Sequence, residues 1–405
     1  MITPEVLSPA GDMQRLAAAV QYGADAVYLG AKMFGMRAAP QNFAPDELKQ
    51  AVGLCHQKGV KVYLTCNTVP TNQEADELPE FLKIAGDCGV DAIIAADVGV
   101  MMTVKKVLPD IPLHISTQAG VMNYLTATEL YHMGAARVVL ARELSLDEIK
   151  YLREHTPPQL EIETFVHGAM CMSVSGRCLL SNYMVQRDAN RGECAQPCRW
   201  GYFLMEEKRP GQYFPVFEDE KGSYILNAKD LCMIEHIDKL VNAGVTSLKI
   251  EGRAKSEYYV AAITNAYRNA VDEYLHSPQE FHLSEWIVQE TRKVSHREYS
   301  TGFYFGKPGQ YYQNAGYVRS WDIIAVVDDY KDGFLEVIER NRFFKGDMAE
   351  VMLPKGKPVP IKIQRIIDPE EGEVETACHP MKRYLIPYDH PLPKGAMIRM
   401  ERESL

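Results

Sequence analysis

Four segments of the chain repeat one arrangement of polar and apolar positions. In each, a glycine follows an amphipathic stretch and precedes a short, largely β-branched apolar run. The segments are YGADAVYLG (22–30), CGVDAIIAAD (88–97), MGAARVVLAREL (133–144) and AGVTSLKIEGR (243–253). A glycine that ends a helix just ahead of a short apolar strand is typical of the helix-to-strand joint in a parallel sheet.

Eight segments read as strands, and helical patterns separate most of them. They are EVLSPAG, DAVYLG, VKVYLTCN, DAIIAAD, PLHIST, RVVLARE, LEIETFVHG and SLKIEGR. Parallel strands that are buried on both faces read as near-continuous apolar runs, as most of these do. Eight such units predict an α/β fold, a closed (β/α)8 TIM-like barrel over residues 1–300. The alternative is an open doubly wound sheet, but no G-x-G-x-x-G follows the first strand.

Two departures from the repeat complete the predicted architecture. A Cys-rich stretch at about 168–222 follows strand seven, which predicts a long insertion at the C-terminal face of the barrel, where functional residues of such folds gather. Over residues 301–405 the pattern changes to short alternating strands with turns, such as DIIAVVDD and KGDMAEVML. This pattern predicts a small antiparallel β-barrel domain.

Composition and charge narrow the class of protein. The chain has 405 residues, of which 46% are hydrophobic and 24% charged, as in soluble globular proteins. No apolar run approaches the length of a membrane span, and the first residues do not resemble a signal peptide. We therefore expect a cytoplasmic protein whose thiols stay reduced. The net charge of −10 disfavours indiscriminate nucleic-acid binding but leaves room for a local basic surface.

The insertion holds four of the nine cysteines, spaced C-x6-C-x15-C-x3-C: Cys171, Cys178, Cys194 and Cys198. Only Cys194 and Cys198 have the close spacing of a zinc knuckle, and the uneven set suits an iron–sulfur cluster at least as well. Spacing alone leaves a cluster, a zinc site and unrelated thiols open. A nucleophilic cysteine partnered by His167 is a further alternative. No G-x-S-x-G or H-E-x-x-H motif supports another kind of protease.

The segment ETFVHGAMCMSVSGRCLLS (163–181) resembles the signature of the collagenase-like peptidase family. That signature reads E-x-F-x2-G-[SA]-aliphatic-C-x4-G-x-C-x-aliphatic-S. Every specified position is satisfied, by Glu163, Phe165, Gly168, Ala169, Met170, Cys171, Gly176, Cys178, Leu180 and Ser181. The resemblance extends over nearly the whole chain. Within the family, the run GECAQPCRW and the added β domain are most similar to members that make 5-hydroxyuridine at the tRNA wobble position.

This resemblance implies an oxygen-independent hydroxylase with a 4Fe–4S cluster, a tRNA anticodon stem-loop as substrate and prephenate as co-substrate. By motif position, the implied cluster ligands are Cys171, Cys178, Cys194 and Cys198. A family branch that takes one ligand from elsewhere keeps Cys232 as an alternative to Cys198. The implied partners also include a paralogous subunit or a second copy of the chain. A collagenase-like protease and a zinc-stabilised RNA-binding protein are the alternatives.

Other site residues are predicted from the ends of the strands, where the chemistry of such barrels is found. Prephenate carries two carboxylates, which arginine grips in a bidentate manner. The candidate substrate-binding cations are Arg37, Arg142, Lys249 and Arg253. Glu163 and His167 are the candidates for moving protons. For Lys249 the alternative is a salt bridge with Glu251 or with an acid across the barrel. For Glu163 the alternative is a place in the barrel interior, and for His167 it is a structural role.

Overall fold

The protein is described from a computed structural model. The structure describes residues 3–34, 42–170, 180–187, 195, 197, 204–205, 213–214, 217–219, 222–224, 229–306 and 317–402. The predicted ligands Cys171, Cys178, Cys194 and Cys198 and the predicted cation Arg37 lie outside these ranges.

A closed parallel barrel forms the first part of the chain. Its strands are β1 (Glu5–Ala10), β2 (Ala26–Gly30), β3 (Lys61–Cys66), β4 (Ala92–Ala95), β5 (Leu113–Ile115), β6 (Ala135–Val139), β7 (Glu161–Gly168) and β13 (Ser247–Ile250). Each strand pairs in parallel with the next, and β13 pairs with both β7 and β1, which closes the sheet. The predicted barrel is confirmed, including the order of its strands.

Helices cover the outside of the barrel. They are α1 (Met13–Gln21), α2 (Pro45–Gln57), α3 (Asn72–Asp87), α4 (Val98–Val107), α5 (Tyr124–His132), α6 (Leu146–Glu154), α7 (Leu180–Val185), α8 (Ile237–Asn242), α9 (Glu257–His276) and α10 (Glu285–Arg292). Several begin at a clear capping signal. The Thr71 hydroxyl accepts from the Glu74 N–H, and the Glu74 carboxylate accepts from the Thr71 N–H, which forms the capping box of α3.

Short strands lie between β7 and α10. They are β8 (Leu204–Met205), β9 (Tyr213–Phe214), β10 (Phe217–Asp219), β11 (Gly222–Tyr224), β12 (Asp230–Cys232) and β14 (Tyr299–Ser300). Strand β12 runs antiparallel to the C-terminal end of β7, and β14 continues the sheet beside β12. These two strands therefore extend the barrel wall at its mouth, next to the start of the Cys-rich insertion.

An antiparallel β domain follows the barrel. Its strands are β15 (Trp321–Lys331), β16 (Phe334–Glu339), β17 (Phe343–Phe344), β18 (Met348–Met352), β19 (Val359–Lys362), β20 (Ile366–Asp368), β21 (Gly372–Val374), β22 (Thr376–Ala377), β23 (Arg383–Pro387) and β24 (Met397–Glu401). Eight of them form one sheet, in the order β19-β18-β24-β15-β16-β23-β20-β21. The predicted C-terminal β domain is confirmed.

The β domain packs against α1, α9 and α10 of the barrel. The Tyr22 hydroxyl donates to the Met352 carbonyl at 3.0 Å, and Asn265 donates to the Leu353 carbonyl at 3.3 Å. The fully buried Arg399 guanidinium donates to both carboxylate oxygens of Glu290 at 2.6 Å. No helix within the described part of the chain combines the length and apolar character that crossing a bilayer requires.

Candidate active site at the mouth of the barrel

A network of ion pairs, the charge ladder, lies inside the barrel and consists of Glu5, Arg137, Glu163 and Lys249. Arg137 of β6 donates to Glu5 of β1 at 2.6 Å and to Glu163 of β7 at 3.0 Å. Lys249 of β13 lies 2.6 Å from the other Glu163 oxygen. Strands β1 and β6 are not neighbours in the sheet, so the contact between Arg137 and Glu5 crosses the interior. Sequence reasoning missed Arg137 and Glu5, although a charge within the buried run RVVLARE was the available signal.

Burial and the charges of this ladder shift the pKa values of Glu5 and His114. Burial favours the neutral acid at Glu5, but the charge and hydrogen bonds of Arg137 hold the pKa of Glu5 below its ordinary value. Burial, followed by the charges of Arg137 and Lys249, places the pKa of His114 well below its ordinary value. His114 is therefore neutral, and its ring packs edge-on against Tyr63 at a centroid distance of 4.7 Å.

The predicted proton carrier Glu163 is thus fully buried and bound to two cations. Lys249 thus forms a salt bridge of the kind that the sequence left open, with Glu163 as its partner. The Lys249 ammonium also lies 4.5 Å from the centre of the Tyr28 ring and 5.6 Å from that of Phe165. Proton transfer by Glu163 stays a prediction.

His167 lies away from this ladder because β7 bulges beside it. The pairing of β7 with β13 shifts between Lys249, opposite Phe165, and Ile250, opposite His167. His167 contacts the hydroxyl of Tyr267 on α9 at 3.5 Å and that of Tyr299 on β14 at 3.3 Å. Burial lowers the pKa of His167 to about 3, so the ring is neutral. Its role in proton transfer also stays a prediction.

Cys232, the alternative cluster ligand, lies opposite His167 in the pairing of β12 with β7. Burial raises the pKa of its thiol to about 11. Within the described ranges, no cluster of His, Cys, Asp or Glu side chains has the arrangement of a metal site. The four predicted cluster cysteines lie outside those ranges.

Described residues nevertheless connect the two halves of the cysteine motif. Ser181, on α7, follows Cys178 by three positions in the sequence, and Ala195 directly follows Cys194. The Ala195 N–H donates to the Ser181 hydroxyl at 3.0 Å, and Ser181 is fully buried. A hydrogen bond therefore joins residues that flank the two cysteine pairs in the sequence.

Two of the predicted cations follow the strands β6 and β13, which both neighbour β7. Arg253 follows β13, is 4% exposed and donates to the Thr65 hydroxyl of β3 at 3.3 Å. A Cβ atom on Gly30 would lie 2.4 Å from its guanidinium, so only glycine leaves room for Arg253 there. Arg142 donates to the Ala169 carbonyl at 2.8 Å, and its guanidinium covers the Phe165 ring at 4.4 Å.

Unsatisfied polar atoms accompany these cations. The Arg142 Nε–H is buried and has no hydrogen-bond partner within the described part of the chain, and the same holds for the Asn67 carbonyl oxygen. Asn67 donates its amide to the Ser116 hydroxyl at 3.3 Å. Buried polar groups ordinarily find partners, so their absence here suits a site that a polar ligand completes.

The fold and the cationic mouth define a class of barrel protein with a polar binding site at the C-terminal face. The chain belongs to Peptidase family U32: residues 11–314 match the family, and residues 319–399 match the Peptidase family U32 C-terminal domain. The family expected from residues 163–181 is confirmed.

Several named relatives are similar over most of their length. The tRNA hydroxylation protein P1 of Bacillus subtilis (strain 168) is 36% identical over 401 residues, which cover 98% of this chain and 94% of that protein. The tRNA hydroxylation protein P of Escherichia coli (strain K12) is 37% identical over 400 residues, covering 88% and 87%. A protein named Collagenase from Porphyromonas gingivalis (strain ATCC BAA-308 / W83) is 36% identical over 314 residues, covering 75% and 74%.

Proposed function

We propose that this protein hydroxylates tRNA, converting the wobble uridine of an anticodon loop to 5-hydroxyuridine without molecular oxygen. The observation that carries the proposal is the similarity to relatives named tRNA hydroxylation proteins, which spans nearly the whole chain, including the β domain. A base inside an anticodon loop can be splayed out of its stack and read in a pocket. The barrel mouth, lined by cations and unsatisfied polar atoms, suits such a base and its co-substrate.

The proposal includes a 4Fe–4S cluster on Cys171, Cys178, Cys194 and Cys198. The bond between Ala195 and Ser181 supports it because both cysteine pairs must meet if they share one cluster. When bound, the cluster would supply the redox centre that hydroxylation of a ring carbon without oxygen requires. Cys232 stays the alternative to Cys198, since its strand lies beside the end of β7.

The co-substrate in the proposal is prephenate, a dicarboxylate. Arg253 and Arg142 would bind its carboxylates, because one guanidinium reaches the mouth beside Gly30 and the other keeps a buried N–H without a partner among the described residues. Lys249 of β13 would be a third cation of the site, and Arg37, which lies outside the described residues, would be a fourth. Glu163 would hold the Lys249 ammonium in place through their 2.6 Å contact.

A cysteine protease is the alternative that the relative named Collagenase keeps in view. Such a mechanism needs a thiolate of low pKa beside a histidine that can be charged. Among the described residues, Cys232 is the cysteine paired in register with a histidine, His167. Burial raises the pKa of that thiol and lowers the pKa of that imidazole, which is the opposite of what the mechanism requires.

The direct test is a reaction with purified components. The protein is prepared anaerobically with iron and sulfide and incubated with tRNA that lacks the modification, with and without prephenate. The proposal predicts 5-hydroxyuridine in the digested tRNA only when prephenate is present. Absence of the product from cluster-loaded protein with prephenate, together with cleavage of casein or collagen, would overturn the proposal in favour of the protease.

A further inference from the structure

A cavity distinct from the barrel mouth lies between the barrel and the β domain. It measures about 470 Å³, within the range of roughly 300–1,000 Å³ typical of small-molecule sites. Its walls come from α10, the start of β15, the turn between β18 and β19, and the end of β24. The chain has three tryptophans, and two of them, Trp286 and Trp321, line this cavity.

The floor of the cavity is rigid and electrically balanced. Arg399 donates to Glu290 at 2.6 Å and to Glu350 at 2.8 Å, while Lys293 donates to Glu350 at 2.6 Å. Two buried or half-buried cations therefore neutralise two carboxylates. Lys293 and Arg399 also lie near the Trp321 ring, at 4.6 and 5.7 Å from its centre. Both cations therefore stabilise the Trp321 ring in this position.

The rim of the cavity carries charged side chains that do not take part in the ion pairs of the floor. Arg292 and Lys357 are exposed, and neither forms an ion pair with another residue that the structure describes. The carboxylate of Glu401 is also at the rim. Indole rings beside free cations are the elements that bind an unpaired nucleotide, because every base has a face that stacks and every phosphate is anionic. A carboxylate at the rim adds an acceptor for base N–H groups.

Hydrogen bonds link the helix that lines the cavity to the end of β7 at the barrel mouth. Tyr299 donates its hydroxyl to the Thr291 carbonyl of α10 at 2.7 Å, and the same hydroxyl lies 3.3 Å from His167 at the end of β7. Tyr317 is 46% exposed, and the Lys255 ammonium lies 4.5 Å from the centre of its ring. An aromatic ring that precedes the cavity residue Ser320 by three positions thus lies against a cation that follows β13.

We propose that this cavity binds an unpaired nucleotide of the RNA substrate, with its base stacked on Trp286 or Trp321 and its phosphate on Arg292 or Lys357. This inference rests on the proposed function, since it assumes that RNA occupies the mouth. It assigns to the β domain a part of the substrate-binding surface. The RNA would span from the mouth, across Tyr317, to the domain junction.

The experiment measures binding of an unmodified anticodon stem-loop to the full chain. Trp286→Ala and Trp321→Ala should each weaken binding by about tenfold, since loss of one stacked base costs roughly that much. The matched control is Phe344→Ala, which removes a ring that is 48% exposed in the same domain but outside the cavity. The control should bind as tightly as the wild type. Unchanged affinity in both tryptophan variants would overturn the proposal.

A second measurement on the wild-type protein does not depend on the folding of variants. Stem-loops that carry 5-bromouridine at successive loop positions are cross-linked by light, and the attached peptides are identified by mass spectrometry. Cross-links to peptides with Trp286 or Trp321 are expected, whereas cross-links confined to the barrel mouth would overturn the proposal. If the wild type hydroxylates tRNA but the tryptophan results fail, only this inference fails. If the wild type neither binds nor modifies tRNA, the proposed function fails with it.

Discussion

The Nζ atom of Lys249 lies 2.6 Å from Oε1 of Glu163, and both side chains are buried inside the barrel. The second Glu163 oxygen accepts from Arg137 at 3.0 Å, so one carboxylate pairs with cations from two other strands. Arg137 in turn is held by Glu5 on the far side of the barrel. The positive charge directly beneath the mouth is therefore fixed by a chain of buried contacts rather than by solvent.

Replacing Glu163 by glutamine should destabilise the protein strongly. The change would leave Lys249 and Arg137 buried without their shared carboxylate, and breaking a buried pair costs about 3–5 kcal/mol. Glu161→Gln is the matched control, because Glu161 also pairs with Arg137 but is 47% exposed. The control should lose less than about 1 kcal/mol. The free energy of unfolding in urea measures both, and equal losses would contradict the structural role assigned to Glu163.

Stability should fall at acid pH through Glu5. The pKa of Glu5 is lowered in the folded protein, so its contribution is fully present above the unfolded value of 4.5 and is lost as the pH falls through the folded pKa. Between about pH 5 and pH 3 the free energy of unfolding should decline less steeply in Glu5→Gln than in the wild type. Identical slopes in both proteins would show that Glu5 does not titrate as described.

Adding one methyl group at Gly30 should weaken binding of prephenate by about tenfold, or about 1.4 kcal/mol. The new Cβ would lie 2.4 Å from the Arg253 guanidinium and 3.2 Å from the Thr65 hydroxyl, so Arg253 must move. Gly53→Ala is the control, since its Cβ on α2 would meet no atom within 4 Å. The control should keep its affinity and gain up to about 1 kcal/mol of stability. Calorimetric titration with prephenate measures the affinity of each variant. Equal affinities of Gly30→Ala and the wild type would show that Arg253 does not bind prephenate.

The cluster ligands can be separated by single substitutions. Cys194→Ala and Cys198→Ala should each abolish iron binding in anaerobically purified protein. Cys378→Ala, in the β domain, should leave the iron content intact, because this cysteine lies far along the chain from the motif. Iron per chain and absorption in the visible range are measured together. If Cys232→Ala loses the cluster and Cys198→Ala keeps it, Cys232 and not Cys198 is the fourth ligand. A colourless protein with one zinc ion per chain would refute the cluster.

The strands and their order followed from the sequence because each strand of a parallel barrel is buried on both faces. Apolar runs such as the one within DAIIAAD are typical of parallel strands that helices cover on one side and the barrel interior on the other. The salt bridge of Lys249 was foreseen as an alternative, but its partner was not, because Glu163 is 86 residues away in the sequence. Arg137 went unrecognised, since only the closed barrel brings β6 opposite β1.

Other features depend on geometry that residue patterns do not encode. The alternation of side chains along β7 predicts that His167 lies on the same face as Glu163 and Phe165. A bulge in the pairing of β7 with β13 places it beside Tyr267 and Tyr299 instead. The cavity between the domains could not be foreseen either. The cavity is lined by Trp286 on a helix of the barrel and by Trp321 on a strand of the β domain. Only the packing of one domain on the other brings these two residues together.

The most direct test of the central claim is nucleoside mass spectrometry of tRNA from a strain that lacks this gene. The strain must have no second route to 5-hydroxyuridine, and it is complemented with the wild type or with Cys171→Ala. The account predicts that 5-hydroxyuridine and its derivatives disappear on deletion, return with the wild type and stay absent with Cys171→Ala. Unchanged levels of these nucleosides in the deletion strain would contradict it.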